Sequence, residues 1–163
     1  MHDAIEEMKV RADLLHKKFK RGDSRARQRL ASTGEPIQRR HCLDAVARQF
    51  GFDDFRHARR VIDADGPSED FGRLLYRARN HGSLNHWYAS YDEARSHQRA
   101  SGGYLLPYRK QFMVVSAAFV RDLGLDPQAE AWTRMNFDWV RPADPDARRQ
   151  LYANLVGQAP QES

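Results

Sequence analysis

Cysteine is almost missing from this chain: Cys42 is the only one in 163 residues. No intrachain disulfide can form, and a reducing, cytoplasmic compartment is expected. Long apolar runs are lacking as well. The longest, Phe112-Met113-Val114-Val115, falls far short of a membrane span, so no membrane partner is expected. The opening residues, Met1 to Glu7, lack the basic-then-apolar order of a signal peptide. There is no repeat, no low-complexity stretch and no motif that names a reaction, and no cofactor is implied.

What the chain has is charge, unevenly placed. Up to Ala64, 4 Lys and 11 Arg face 10 Asp and Glu, whereas from Asp65 onward 12 cations meet 12 anions. The whole formal net charge of +5 therefore belongs to the first 64 residues. This split predicts two units, a basic helical module over 1–64 and a neutral, mainly helical unit over 65–163, with Asp65-Gly66-Pro67-Ser68 as the boundary.

Ile5, Met8, Ala12, Leu15 and Phe19 recur every three or four residues, predicting a first helix capped by Asp3 and ended by Gly22-Asp23. Ser24 starts a shorter basic helix, and Gly34 with Pro36 marks the next break. Leu43, Val46, Ala47 and Phe50 form the inner face of a third helix, closed by Gly51 in a left-handed conformation. Asp53 or Asp54 caps a fourth, which turns Phe55, Ala58, Val61 and Ile62 inward. Further on, Ser68 is expected to cap a helix containing Leu74, Leu75 and Ala78. Ser90-Tyr91-Asp92-Glu93 matches a capping box and opens a helix that Gly102-Gly103 ends. Tyr104 to Val115 favours strand, predicting a hairpin about Arg109-Lys110, and Pro107 confines its strand to an edge. Ser116 to Leu123 returns to helix, stopped by Gly124. Asp126-Pro127 and Asp144-Pro145 each start a helix. Gln158 to Ser163 is expected to fray. Trp132, Phe137, Trp139 and Tyr152 supply a second core. The fold expected is mostly α: an N-terminal helical array, then a helical unit with one small β-hairpin.

The run His41-Cys42-Leu43-Asp44-Ala45-Val46-Ala47-Arg48-Gln49-Phe50-Gly51-Phe52-Asp53-Asp54-Phe55 resembles a short helical module found beside ankyrin repeats and in glyoxalase-related bacterial proteins. The likeness covers residues 8–62, with Phe55 where Trp is commoner. It implies a small helical fold and brings no catalytic residue. Asn85-His86-Trp87, Gly103-Tyr104-Leu105-Leu106-Pro107-Tyr108 and Asp138-Trp139 are similar to segments of a bacterial protein family with no assigned activity, so that likeness implies none.

Ala47 and Gly51 have the spacing of a helix-turn-helix. In that frame, however, two positions that should be apolar fall on His57 and Arg60, so simple helix packing is favoured. Arg56, His57, Arg59 and Arg60 are expected to leave a basic outer face. A denser patch holds Lys17, Lys18, Lys20, Arg21, Arg25, Arg27 and Arg29, a polyanion-binding candidate because phosphate contacts need only cations clustered on one surface. Its bland alternative is a solvated helix face. No aromatic set interleaves it, which argues against base stacking.

Asn80 to Tyr88 places two imidazoles, two amides and a hydroxyl in one expected loop. His86 is a candidate base there, with Tyr91, Tyr108 and Arg109 completing a pocket. The competing reading is a structural His86, buried and bonded to backbone, beside a Trp87 that anchors the core. No metal site is expected: His41 and Cys42 diverge on a helix, and His81 and His86 lack a third ligand. Cys42 reads as a small buried apolar residue rather than a nucleophile. Two functions follow. The leading one is a non-enzymatic interaction protein meeting an acidic protein or nucleic acid through its basic unit. The alternative is a small-molecule binder or hydrolytic enzyme with a pocket around His86.

Overall fold

Asp3 accepts a hydrogen bond from the Ile5 amide at 2.8 Å and starts α1 (Ala4–Lys20), burying Ile5, Met8, Ala12 and Leu15 on one side. The computed structural model describes residues 3–76 and 85–161. Asp23 caps α2 (Ser24–Leu30) through the Ala26 amide. The third helix, α3 (Arg39–Gln49), buries Cys42, Val46 and Ala47 and ends at Gly51, where φ is +85°. Of the two candidate caps for α4 (Phe55–Ile62), Asp54 takes the position, accepting from the His57 amide at 2.7 Å. α1 and α3 pack together, and α2 and α4 each touch both of them.

The helix expected after Ser68 does not form in the described residues up to Tyr76, although Leu74 and Leu75 are buried; Ala78 lies outside them. The backbone groups of this stretch are used elsewhere. Arg73 donates to the Gly51 carbonyl, Phe71 donates to that of Arg109, and the Gly72 carbonyl accepts from Arg109. A chain so committed to its neighbours cannot also run an i to i−4 ladder.

In the second half Ser90 caps α5 (Tyr91–Ser101). The expected hairpin is present as β2 (Tyr104–Tyr108) and β3 (Gln111–Val115), turning at Arg109, where φ is +53°. A third strand, β1 (His86–Tyr88), corrects the loop expected there; it pairs antiparallel with β3, His86 opposite Val114 and Tyr88 opposite Phe112. The order is β1-β3-β2, so Pro107 does sit on an edge strand. Leu105 also bridges to Asp138 on the outer side of β2. α5 lies on one face of this sheet.

Ser116 caps α6 (Ala117–Asp122). Asp126 does not begin a helix: its carboxylate closes on the Gln128 amide at 2.9 Å, and α7 (Glu130–Arg134) starts after Ala129. Asp144-Pro145 opens α8 (Pro145–Gln158) as its spacing predicts. Instead of fraying, the chain after α8 is held through Pro160, as Arg11 donates to the carbonyls of Val156, Ala159 and Pro160. The architecture is mostly α with one small antiparallel sheet. α8 packs on α1, and a single hydrophobic core runs through both halves. Among the described residues, no helix is long and apolar enough to cross a membrane.

Candidate functional site

The basic patch divides in space. Lys18, Arg25 and Arg29 line a cleft of about 690 Å³ among α1, α2 and α3, joined by Arg11. Leu14, Leu15, Ala26 and Val46 make its apolar surface, and Pro160 with Gln161 closes one side. Among the described residues that line it, the one carboxylate is Asp23, which is committed to capping α2. Lys17, Lys20 and Arg21 are exposed and do not line the cleft. Arg27 points elsewhere, its guanidinium 5.9 Å from the Phe19 ring beside a separate hollow. Leu14 is 39% exposed and Val10, one turn earlier on α1, is 49% exposed. Of these two exposed apolar side chains, Leu14 lines the cleft.

Arg11 belongs to no cluster of cations in the sequence. It is 7% exposed and donates Nε to Glu7 at 2.9 Å besides its bonds to the end of α8. A cation at a helix C-terminus meets the unsatisfied carbonyls and the negative end of the dipole. Only its position in the otherwise apolar stripe of α1, between Met8 and Leu15, hinted at burial.

The four residues proposed for a pocket around His86 do not converge. His86 and Tyr91 belong to the α5 side of the sheet, where Tyr91 packs on Phe112 at 6.0 Å between ring centres. Tyr108 belongs to the other side, against Tyr76 and Trp87 at 5.5 and 5.9 Å. Arg109 is exposed in the hairpin turn, its backbone bonded to Phe71 and Gly72. His86 is exposed, correcting the buried, backbone-bonded ring expected of a structural histidine; Trp87 is 40% exposed and does not anchor the core. Asn80 to Leu84 lie outside the described residues.

Tyr91 has a partner that spacing could not reveal. Its hydroxyl donates to Asp138, which is 2% exposed, and Arg141 lies 4.1 Å over its ring. Burial, then the hydrogen bond and charge of Asp138, push the phenol up to about 12. His97, also missed, lies between His86 and Tyr88 on the inner side of α5, three residues after buried Ala94.

On α4, His57 corrects another expectation. It is 4% exposed rather than part of a basic outer face. Its Nδ1 accepts from the Asp53 amide at 3.1 Å and its Nε2 lies 2.8 Å from the Asp70 carbonyl, so the ring ties α4 to the segment that follows it. Cys42 is buried, and that burial pushes its thiol up, away from the reactive thiolate. Among the described residues no three His, Cys, Asp or Glu side chains gather to hold a metal ion. The chain matches no protein-family model, no curated protein and no solved structure.

Proposed function

We propose that this chain is a non-enzymatic interaction module that holds an acidic protein segment in the α1–α2–α3 cleft. The observation that carries this reading is the coincidence of an apolar floor with a basic rim, in the half of the chain that holds the whole net charge. Leu14, Leu15, Ala26 and Val46 offer apolar contact, while Lys18, Arg25 and Arg29 set the sign of what enters. An acidic protein is favoured over nucleic acid for two reasons. A phosphate backbone gains nothing from an aliphatic floor, and among the described residues no aromatic ring lines the cleft on which a base could stack. Cations at the rim steer encounter, and the buried apolar contacts retain the partner.

The test titrates the full chain with a synthetic amphipathic peptide, glutamate on one face and leucine on the other, and in parallel with duplex DNA. Peptide binding should weaken as salt rises. Lys18→Glu with Arg29→Glu should lower peptide affinity at least tenfold, and Leu14→Asp should do the same, whereas Lys20→Glu with Arg21→Glu should change it less than threefold. Tighter binding to DNA than to peptide, or indifference to Leu14→Asp, would overturn the reading.

A further inference from the structure

Two imidazoles meet where α5 crosses the sheet. The rings of His86 on β1 and His97 on α5 lie 4.3 Å apart between centres, inclined by 39°. His86 is exposed and His97 half-buried, so solvent reaches the pair. His97 Nδ1 is 2.6 Å from the Tyr88 hydroxyl. By contrast, the Nδ1 atoms of His41 and His57 each accept a backbone amide. In the described residues no hydrogen bond engages the His86 ring or the Nε2 atom of His97.

We propose that His86 and His97 together bind a divalent transition-metal ion of the nickel or copper type, with water completing its coordination. Imidazole nitrogen suits these ions. Two imidazoles bound side by side, each nitrogen about 2.0–2.1 Å from the metal, place their ring centres roughly 4.5 Å apart at a right angle and roughly 5 Å apart at a tetrahedral angle. The observed separation lies closer to the right-angle arrangement of square-planar and octahedral ions. Tyr88 supplies the second half of the device. A ligating histidine commonly donates its other N–H to a neighbour, which fixes tautomer and ring orientation. When His97 Nδ1–H donates to the Tyr88 oxygen, Nε2 keeps its lone pair for the metal. Along α5 the residues one turn from His97 are Glu93, Ala94, Ala100 and Ser101, with no cation among them. Both ligands also sit on regular elements, since β1 is paired to β3 and α5 is capped by Ser90. Two protein ligands and open positions make an exchangeable site rather than a structural one.

The experiment uses the untagged full chain carrying His2→Ala, because an N-terminal amine followed by histidine is itself a chelator. Ni2+ and Cu2+ are titrated calorimetrically, and Cu2+ is read by electron paramagnetic resonance. One equivalent should bind, with nitrogen hyperfine structure from two imidazoles. His86→Gln, at an exposed position, should lower affinity at least tenfold with an unchanged circular dichroism spectrum and melt. His97→Gln should do likewise, and Tyr88→Phe should weaken binding roughly tenfold through the lost orienting bond. Absence of binding, or affinity indifferent to His86→Gln, overturns the site. An intense tetrahedral visible band from the Co2+-loaded protein overturns the right-angle geometry.

Discussion

At the scale of single residues, Gly51 shows how much more a fold asks of a position than its local motif does. The sequence marks it as a helix terminator, and its φ of +85° agrees. The structure adds a second demand, because a Cβ there would lie 3.0 Å from the Arg73 carbonyl carbon and 3.1 Å from the Leu74 nitrogen. Those are backbone atoms, which cannot swing aside as a side chain can. Gly51→Ala should therefore cost about 2–4 kcal/mol, the left-handed strain plus the displaced 71–74 segment. Chemical denaturation checks this: an unchanged midpoint would mean the two segments do not meet closely. Caps were the most legible residues of all. Asp3, Ser90, Ser116 and Asp144 each satisfy an amide two or three residues ahead, so everything they need is in the local sequence. Asp126-Pro127 carries the same signal as Asp144-Pro145 but is overridden from a distance. Trp132 Nε1 donates to the Asp126 carbonyl and the Tyr104 hydroxyl to that of Pro127, drawing this stretch into a turn. The Tyr104 bond comes from 23 residues away, outside any local window.

Elements repeat the contrast. α1, α3 and α4 could be read because their apolar positions recur over two turns or more, whereas β1 has three residues and its partner strand begins 23 residues after it ends. Period-two alternation cannot declare itself over so short a stretch. The joint that fixes α5 is similarly non-local: Tyr91 donates to Asp138, while Gln98 Nε2 donates to the carbonyls of Gly103 and Phe137. This joint has a pH signature. The Tyr91 phenol is raised from 10.0 to about 12, so the folded chain holds that proton more tightly than the unfolded chain does. Its contribution is complete below pH 10 and disappears as pH climbs towards 12. Tyr104 and Tyr152 are raised by burial as well, so the native protein should lose stability over the same alkaline range. Comparison with Tyr91→Phe isolates the one hydrogen bond. The variant should be less stable by about 1–3 kcal/mol at pH 7 to 9, and that gap should close between pH 10 and 12. A gap that persists unchanged through pH 12 would show that Tyr91 stabilises through its ring alone.

Across the whole molecule, composition disclosed the charge asymmetry but not how the halves meet, because the joining residues are arginines that sequence alone assigns to the surface. Arg148 is fully buried on α8. Its guanidinium donates to the carbonyls of Trp139 and Val140 within its own half, and to those of Ala64 and Gly66 at the boundary. Arg149 adds bonds to the Asp63 carbonyl and the Asp65 carboxylate, and Arg11 reaches the other way, from α1 to the end of α8. The boundary that reads as a linker is thus pinned by its own carbonyls, and the apolar core is continuous beneath it. Burial penalises the Arg148 charge and lowers its pKa from the ordinary arginine value, and the four carbonyls offset that penalty. Arg148→Met nearly preserves volume but leaves those carbonyls unmatched, and should cost on the order of 3 kcal/mol. The native chain should melt in one transition seen alike by tryptophan fluorescence, which reports only Trp87, Trp132 and Trp139 in the second half, and by far-ultraviolet circular dichroism, which also reports the N-terminal helices. Arg148→Met should lower that shared midpoint for both probes. If only the fluorescence transition moved, the two halves would be folding as separate units, and the arginine contacts across the boundary would couple nothing.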